Sequence, residues 1–141
     1  MTKTFLTTIF LTITISINAQ TIFGKWNSKN DDGTVDSVLE IYKKDGKAFA
    51  KVIEIMNPAR KDALCVDCEG IYKDKPIMGL NILSGLEKDE DEWSGGKIVD
   101  PRNGKTYKCY IKLVKPNKLK LRGYIGVSLF GRTAYWERVN Q

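Results

Sequence analysis

W-S-G-G-K-I-V-D-P-R-N-G-K-T-Y, residues Trp93 to Tyr107, packs an aromatic, a Gly-Gly pair, a short β-prone run and a Pro-x-Asn-Gly turn into fifteen positions. That order reads as strand, tight turn, strand. Gly95 and Gly96 fit a bend in the first strand, where a backbone without Cβ is tolerated, and Pro101 to Gly104 form the turn that sets register. Asp100 stands where a carboxylate caps such a turn.

The same grammar continues downstream. Lys105 to Leu113 alternates Tyr107, Cys109, Ile111 and Leu113 against Thr106, Lys108, Tyr110 and Lys112, the period of a half-buried strand. Lys115-Pro116-Asn117 turns the chain. Leu119, Leu121 and Ile125 then oppose Lys118, Lys120, Arg122 and Tyr124, and a final strand runs from Leu129 to Val139. Upstream, Ile22 to Trp26 opens as a short strand. Asp31-Asp32-Gly33 is a turn, Val35 to Lys43 places Val35, Leu39 and Ile41 on one face, and Asp45-Gly46 is a type I′ hairpin signal leading into Lys47 to Ile55. In that returning strand Ala48, Ala50 and Val52 oppose Phe49, Ile53 and Ile55, so its inner face is undecided. Met78 to Leu86 is either a short strand or a helical turn, and Glu87 to Glu92, with five acids, reads as an exposed loop tip. Seven or eight strands with few helical signals predict an all-β fold. Edge strands are a liability, so closure into a small antiparallel up-and-down β-barrel of about eight strands is the expected architecture.

Residues 1–19 read as a cleaved secretory signal peptide, with basic Lys3, an apolar run from Phe5 to Ile17 and Ala19 at the cleavage point. Residues 20–141 would then be a single domain, exported to the periplasm or secreted, with no transmembrane segment after cleavage. No cysteine follows the cleavage point to carry a lipid anchor. The chain has 23 Lys and Arg against 17 Asp and Glu, net +6, and loss of Lys3 leaves it moderately basic. In an exported protein that balance suits an anionic envelope component. No stripe of arginine and exposed aromatics marks a nucleic-acid binder.

Cys65, Cys68 and Cys109 fall in a chain where disulfides persist. By chain entropy a Cys65–Cys68 ring is worth only ~1.9 kcal/mol, against about 4 kcal/mol for a bridge from either to Cys109. Alternation points Cys109 inward, however, while the pair lies in the irregular segment Asn57 to Ile77, a pinned cover for one barrel end. The expectation is a Cys65–Cys68 disulfide with Cys109 buried, the long bridges standing as the alternative. With no histidine, the Ser-His-Asp relay and the commonest metal ligand are excluded. Three cysteines and Asp67 lack the second paired motif of a zinc site. No catalytic residue, metal or cofactor is expected; Asp36, Glu40 and Glu54, the strand-borne carboxylates, are expected on the solvated outer face.

Four blocks together carry a resemblance: Gly24-x-Trp26; Trp93 to Tyr107; Arg122-Gly123-Tyr124-Ile125-Gly126; and Gly131-Arg132-x-x-x-Trp136-x-Arg138. The chain resembles a bacterial exported family, the domain of unknown function numbered twenty-one forty-seven, over nearly all of residues 20–141. The resemblance implies a lipocalin-like β-barrel and no assigned activity. Lipocalins are also similar in pairing Gly-x-Trp on the first strand with a basic residue on the last, roles that fall to Trp26 and Arg138 as barrel closure. The inward set Trp26, Leu39, Ile41, Tyr107, Ile111 and Leu121 would line the interior. A barrel this size either encloses one small apolar or amphipathic ligand or is filled by its own side chains and acts through its loops. For the second case Lys108, Lys112, Lys118, Lys120 and Arg122 form a basic outer stripe.

Overall fold

The computed structural model describes residues 20–140; the signal-peptide reading of residues 1–19 lies outside the described residues. Eight strands run in order: β1 Gly24–Lys29, β2 Val35–Lys44, β3 Lys47–Ile55, β4 Asn81–Asp89, β5 Glu92–Asp100, β6 Lys105–Lys115, β7 Lys118–Tyr124 and β8 Gly131–Arg138. Each pairs antiparallel with the next, and β8 returns to β1, closing an up-and-down barrel. Two 3₁₀ turns, Pro58–Arg60 and Gly70–Tyr72, are the other regular elements.

Tight turns gather at one end. Asp45 and Gly46 both have positive φ, 51° and 78°, the conformation a type I′ hairpin needs. At the next turn of this end the sequence expectation fails: the acidic run Glu87 to Glu92 is mostly strand, with only Glu90 and Asp91 turning between β4 and β5. Its acids face outward and pair, Glu87 with Lys47 at 3.1 Å and Asp91 with Lys112 at 2.7 Å. The same alternation that buries Leu86 exposes Glu87. The ambiguous Met78 to Leu86 segment likewise resolves, from Asn81 onward, into β4.

Strands β4 and β5 bend together where Gly85 (φ 72°) lies near Gly95 (φ 80°), with a register shift between Trp93 and Gly96. A Cβ on Gly96 would overlap the Ser84 carbonyl oxygen and the Leu86 amide, so only glycine lets the backbones approach. Strand β3 resolves its ambiguity through a bulge: Val38 faces Glu54 and Leu39 faces Val52, leaving Ile53 as the extra residue. Ala48, Ala50 and Val52 therefore point inward, and Ile55 rejoins them past the bulge.

The tight-turn end is plugged. Trp26 is fully buried and its indole N–H donates to the Ile22 carbonyl at 2.8 Å, so Ile22 lies outside β1 and acts as a stopper. Phe23 meets Trp93 edge to face at 5.5 Å. The Arg138 guanidinium lies 4.3 Å from the Trp26 ring centroid and donates to three carbonyls, Thr21 at 2.6 Å, Phe23 at 3.1 Å and Pro116 at 3.0 Å. Replacing Arg138 with Met keeps the stem and removes the cation and all three donors. The variant should lose about 1–3 kcal/mol, read as a lower urea midpoint; an unchanged midpoint would show that the plug holds without the guanidinium.

Candidate functional site

At the opposite end the barrel is hollow. A cavity of about 840 Å³ opens between the β1–β2, β5–β6 and β7–β8 connections and the long β3–β4 segment. Its wall is apolar, carried by Leu39, Val52, Ile55, Ile82, Ile98, Leu121 and Trp136. Among the described residues no polar or charged side chain is fully buried, so charge enters only at the rim. There Arg132 pairs with Asp31 at 2.6 Å and Arg102 with Asp100 at 2.8 Å, with Arg60 and Asp36 beside them.

Of the inward residues expected from sequence, Leu39, Tyr107 and Leu121 line this cavity. Trp26, Ile41 and Ile111 lie fully buried in the core and outside the cavity wall. The barrel is thus packed in one half and open in the other. Openness comes from small residues at the level where larger ones would meet: Gly123 and Ala134 both line the space, and Ala134 faces Leu121 in register. Trp136, Val52 and Ile55 were missed. The Gly131 to Trp136 motif placed Trp136 on the last strand, and alternation from buried Trp136 would have pointed Ala134 inward with it; Val52 and Ile55 needed the β3 bulge.

Asp100 performs the capping role expected of it. Its side chain accepts from the Arg102 backbone N–H at 2.9 Å and from the guanidinium at 3.0 and 2.8 Å. Burial works against the charge, but these bonds and the nearby Arg132 outweigh it and hold the carboxyl below its ordinary value. Gly104 ends the turn at φ 71°, and a Cβ there would overlap the Asp67 carbonyl. The β3–β4 segment therefore packs directly onto this turn. Cys65 and Cys68 form the disulfide expected, with Cα atoms 5.3 Å apart and both residues buried; Arg60 and Ile77 are what this segment gives the cavity.

Three expectations need correction or refinement. Asp36 lies at the cavity rim instead of the outer face, at a bulge where the β1–β2 register passes from Ser28–Ser37 to Lys29–Val35 and skips it; Glu40 and Glu54 stay outside, Glu40 4.0 Å from Lys51. Arg122 does not belong to a free basic stripe, since its guanidinium donates to Ser128 and Leu129 carbonyls and to Thr133 Oγ1 at 2.9, 3.1 and 2.8 Å. Lys112 is engaged by Asp91. Ile125 ends outside β7, in the β7–β8 loop, and is exposed.

The family model described as "Uncharacterized protein conserved in bacteria (DUF2147)" matches residues 24–138. The chain belongs to this family. A solved structure, the protein HP1028 of Helicobacter pylori, described as belonging to the lipocalin family, aligns with a TM-score of 0.75 and 20% identity over 85% of this chain and 84% of that one. The likeness makes the barrel lipocalin-like. No curated protein matches the chain.

Cys109 is the one thiol outside the disulfide among the described residues, and its setting disarms it. Cys109 is buried, and burial pushes its thiol up from 9.0 to about 12. The native state keeps this proton where the unfolded thiol ionises. The resulting stability is fully present below the ordinary thiol pKa and is lost as pH rises toward 12. Relative to Cys109→Ala, the protein should lose up to about 1.4 kcal/mol per pH unit above about pH 9, measured by urea titration across that range. A pH-independent difference would refute the assignment.

Proposed function

We propose that this member of the family is an exported binding module that takes one small apolar or amphipathic molecule into the open half of its barrel. The cavity carries the reading: about 840 Å³ with an apolar wall and a charged rim falls within the roughly 300–1,000 Å³ of ligand sites. The lipocalin-like architecture supports it, since eight-stranded barrels of this type have room for one small ligand. An apolar chain would lie against Leu39, Leu121 and Trp136, with a polar head among Arg60, Arg102 and Arg132 and the acids beside them. The leader-like residues 1–19 and the Cys65–Cys68 disulfide support export.

Ala134→Trp tests the site because it fills the cavity from a position whose side chain already faces open space. Palmitate and 1-anilinonaphthalene-8-sulfonate should each bind the unmodified protein at one per chain, read by native mass spectrometry and fluorescence. The variant should lose more than about tenfold in affinity, as a blocked pocket requires, while keeping its urea midpoint. Absence of binding by both probes, together with no molecule extracted from the purified protein, would leave a module acting through its loops and outer face in its place.

A further inference from the structure

The β7–β8 loop reads Ile125-Gly-Val-Ser-Leu-Phe130 and exposes nearly everything apolar it has: Ile125 is 68% exposed, Val127 59%, Leu129 77% and Phe130 71%. Isolated exposed apolar residues are ordinary, but four within six residues on one projecting loop form a patch. The loop is internally built. Four consecutive carbonyls accept hydrogen bonds within it or from its base: Val127 from the Phe130 amide at 3.1 Å, Ser128 and Leu129 from Arg122 at 2.9 and 3.1 Å, and Phe130 from the Ile125 amide at 3.4 Å. Those four carbonyls can enter an apolar medium without being stranded.

Below the tip lies a cationic collar. Tyr124, where β7 ends, faces Lys108 in register, and Lys108 faces Lys97. Both lysines are exposed, and among the described residues neither has a carboxylate partner within salt-bridge distance. Of the acids of the same rim, Asp31, tied to Arg132, and Asp32, accepting from Thr34, lie on the β1–β2 side, while Asp100 at the end of β5 is held by Arg102. Charge therefore favours approach of an anionic surface from the β5–β7 side. We propose that the loop Ile125–Phe130 is a membrane-docking tip that inserts into the interface of an anionic bilayer, with Lys97 and Lys108 meeting the headgroups. A protein partner fits less well, because four side chains fall short of the ~800 Å² per partner of a standard interface. Ile125 and Phe130 also line the cavity, so docking sets the cavity mouth against lipid. Docking itself does not depend on what the cavity binds; passage of a ligand between bilayer and cavity rests on the function proposed above.

The test is flotation of residues 20–141 with vesicles of phosphatidylcholine alone or with about one-third phosphatidylglycerol. The unmodified protein should float with the anionic vesicles and lose that binding as salt rises. Val127→Ser with Leu129→Ser, both outside the cavity wall, should weaken partition by more than about tenfold, and Lys97→Glu with Lys108→Glu should abolish the preference for anionic lipid. All four positions are exposed, and an unchanged affinity for 1-anilinonaphthalene-8-sulfonate would show that the cavity survives. A nitrobenzoxadiazole label on Leu129→Cys, selective because Cys109 is buried, should shift to the blue on vesicle binding. The proposal is overturned if the unmodified protein stays unbound with both vesicles, if the serine variant floats equally well, or if the label reports water throughout. It is also overturned if sedimentation shows a dimer that only the serine variant dissociates, since a second copy would then cover the tip. Palmitate binding without flotation would sink docking and spare the cavity; flotation without palmitate binding would do the reverse.

Discussion

The fold depends on one seam. Seven of its eight strand pairings join neighbours in sequence, but β1 and β8 meet in register only at Trp26–Arg138 and Asn27–Glu137. Left unpaired, both strands would be open edges. Arg138 makes so short a seam hold, because a single planar guanidinium reaches three carbonyls and an indole face. Lysine has the charge without the fork. Around that latch the backbone adds Arg138 N–H to Asn117 and Val139 N–H to Lys25.

The division between packed and hollow halves follows from side-chain volume along the same strands. Near the latch, Trp26, Leu119, Ile111 and Leu86 fill the section completely. Towards the open end β7 and β8 supply Gly123 and Ala134, and the wall recedes. Charges then appear only where water reaches them, and two of the three rim arginines, Arg102 and Arg132, are neutralised by Asp100 and Asp31. An apolar floor under a self-compensated polar rim favours a guest by shape and solvation more than by net charge.

Much of this was legible in the sequence, for identifiable reasons. Alternation in Lys105 to Leu113, the Asp45-Gly46 turn and the Gly95-Gly96 bend are local signals, and the structure follows each. Closure and the lipocalin-like class were legible through Trp26, Arg138 and the quoted blocks. The cavity was not. Its wall needs the Ile53 bulge, which reverses inside and outside within β3, and its volume is set by what faces Ala134 across the barrel. Arg122 misled for a similar reason: strand parity makes it an outer cation, and only the loop conformation shows that its donors are already used.

The latch also dictates when the molecule can become itself. The hydrogen bonds from Arg138 to Phe23 and Thr21 span 115 and 117 residues, so closing them costs about the largest loop entropy available to the chain. Hairpins β2–β3 and β6–β7 need only their own turns, whereas the seam needs the first and last strands of the barrel brought together. Until that seam closes, the barrel is an open sheet with two bare edges.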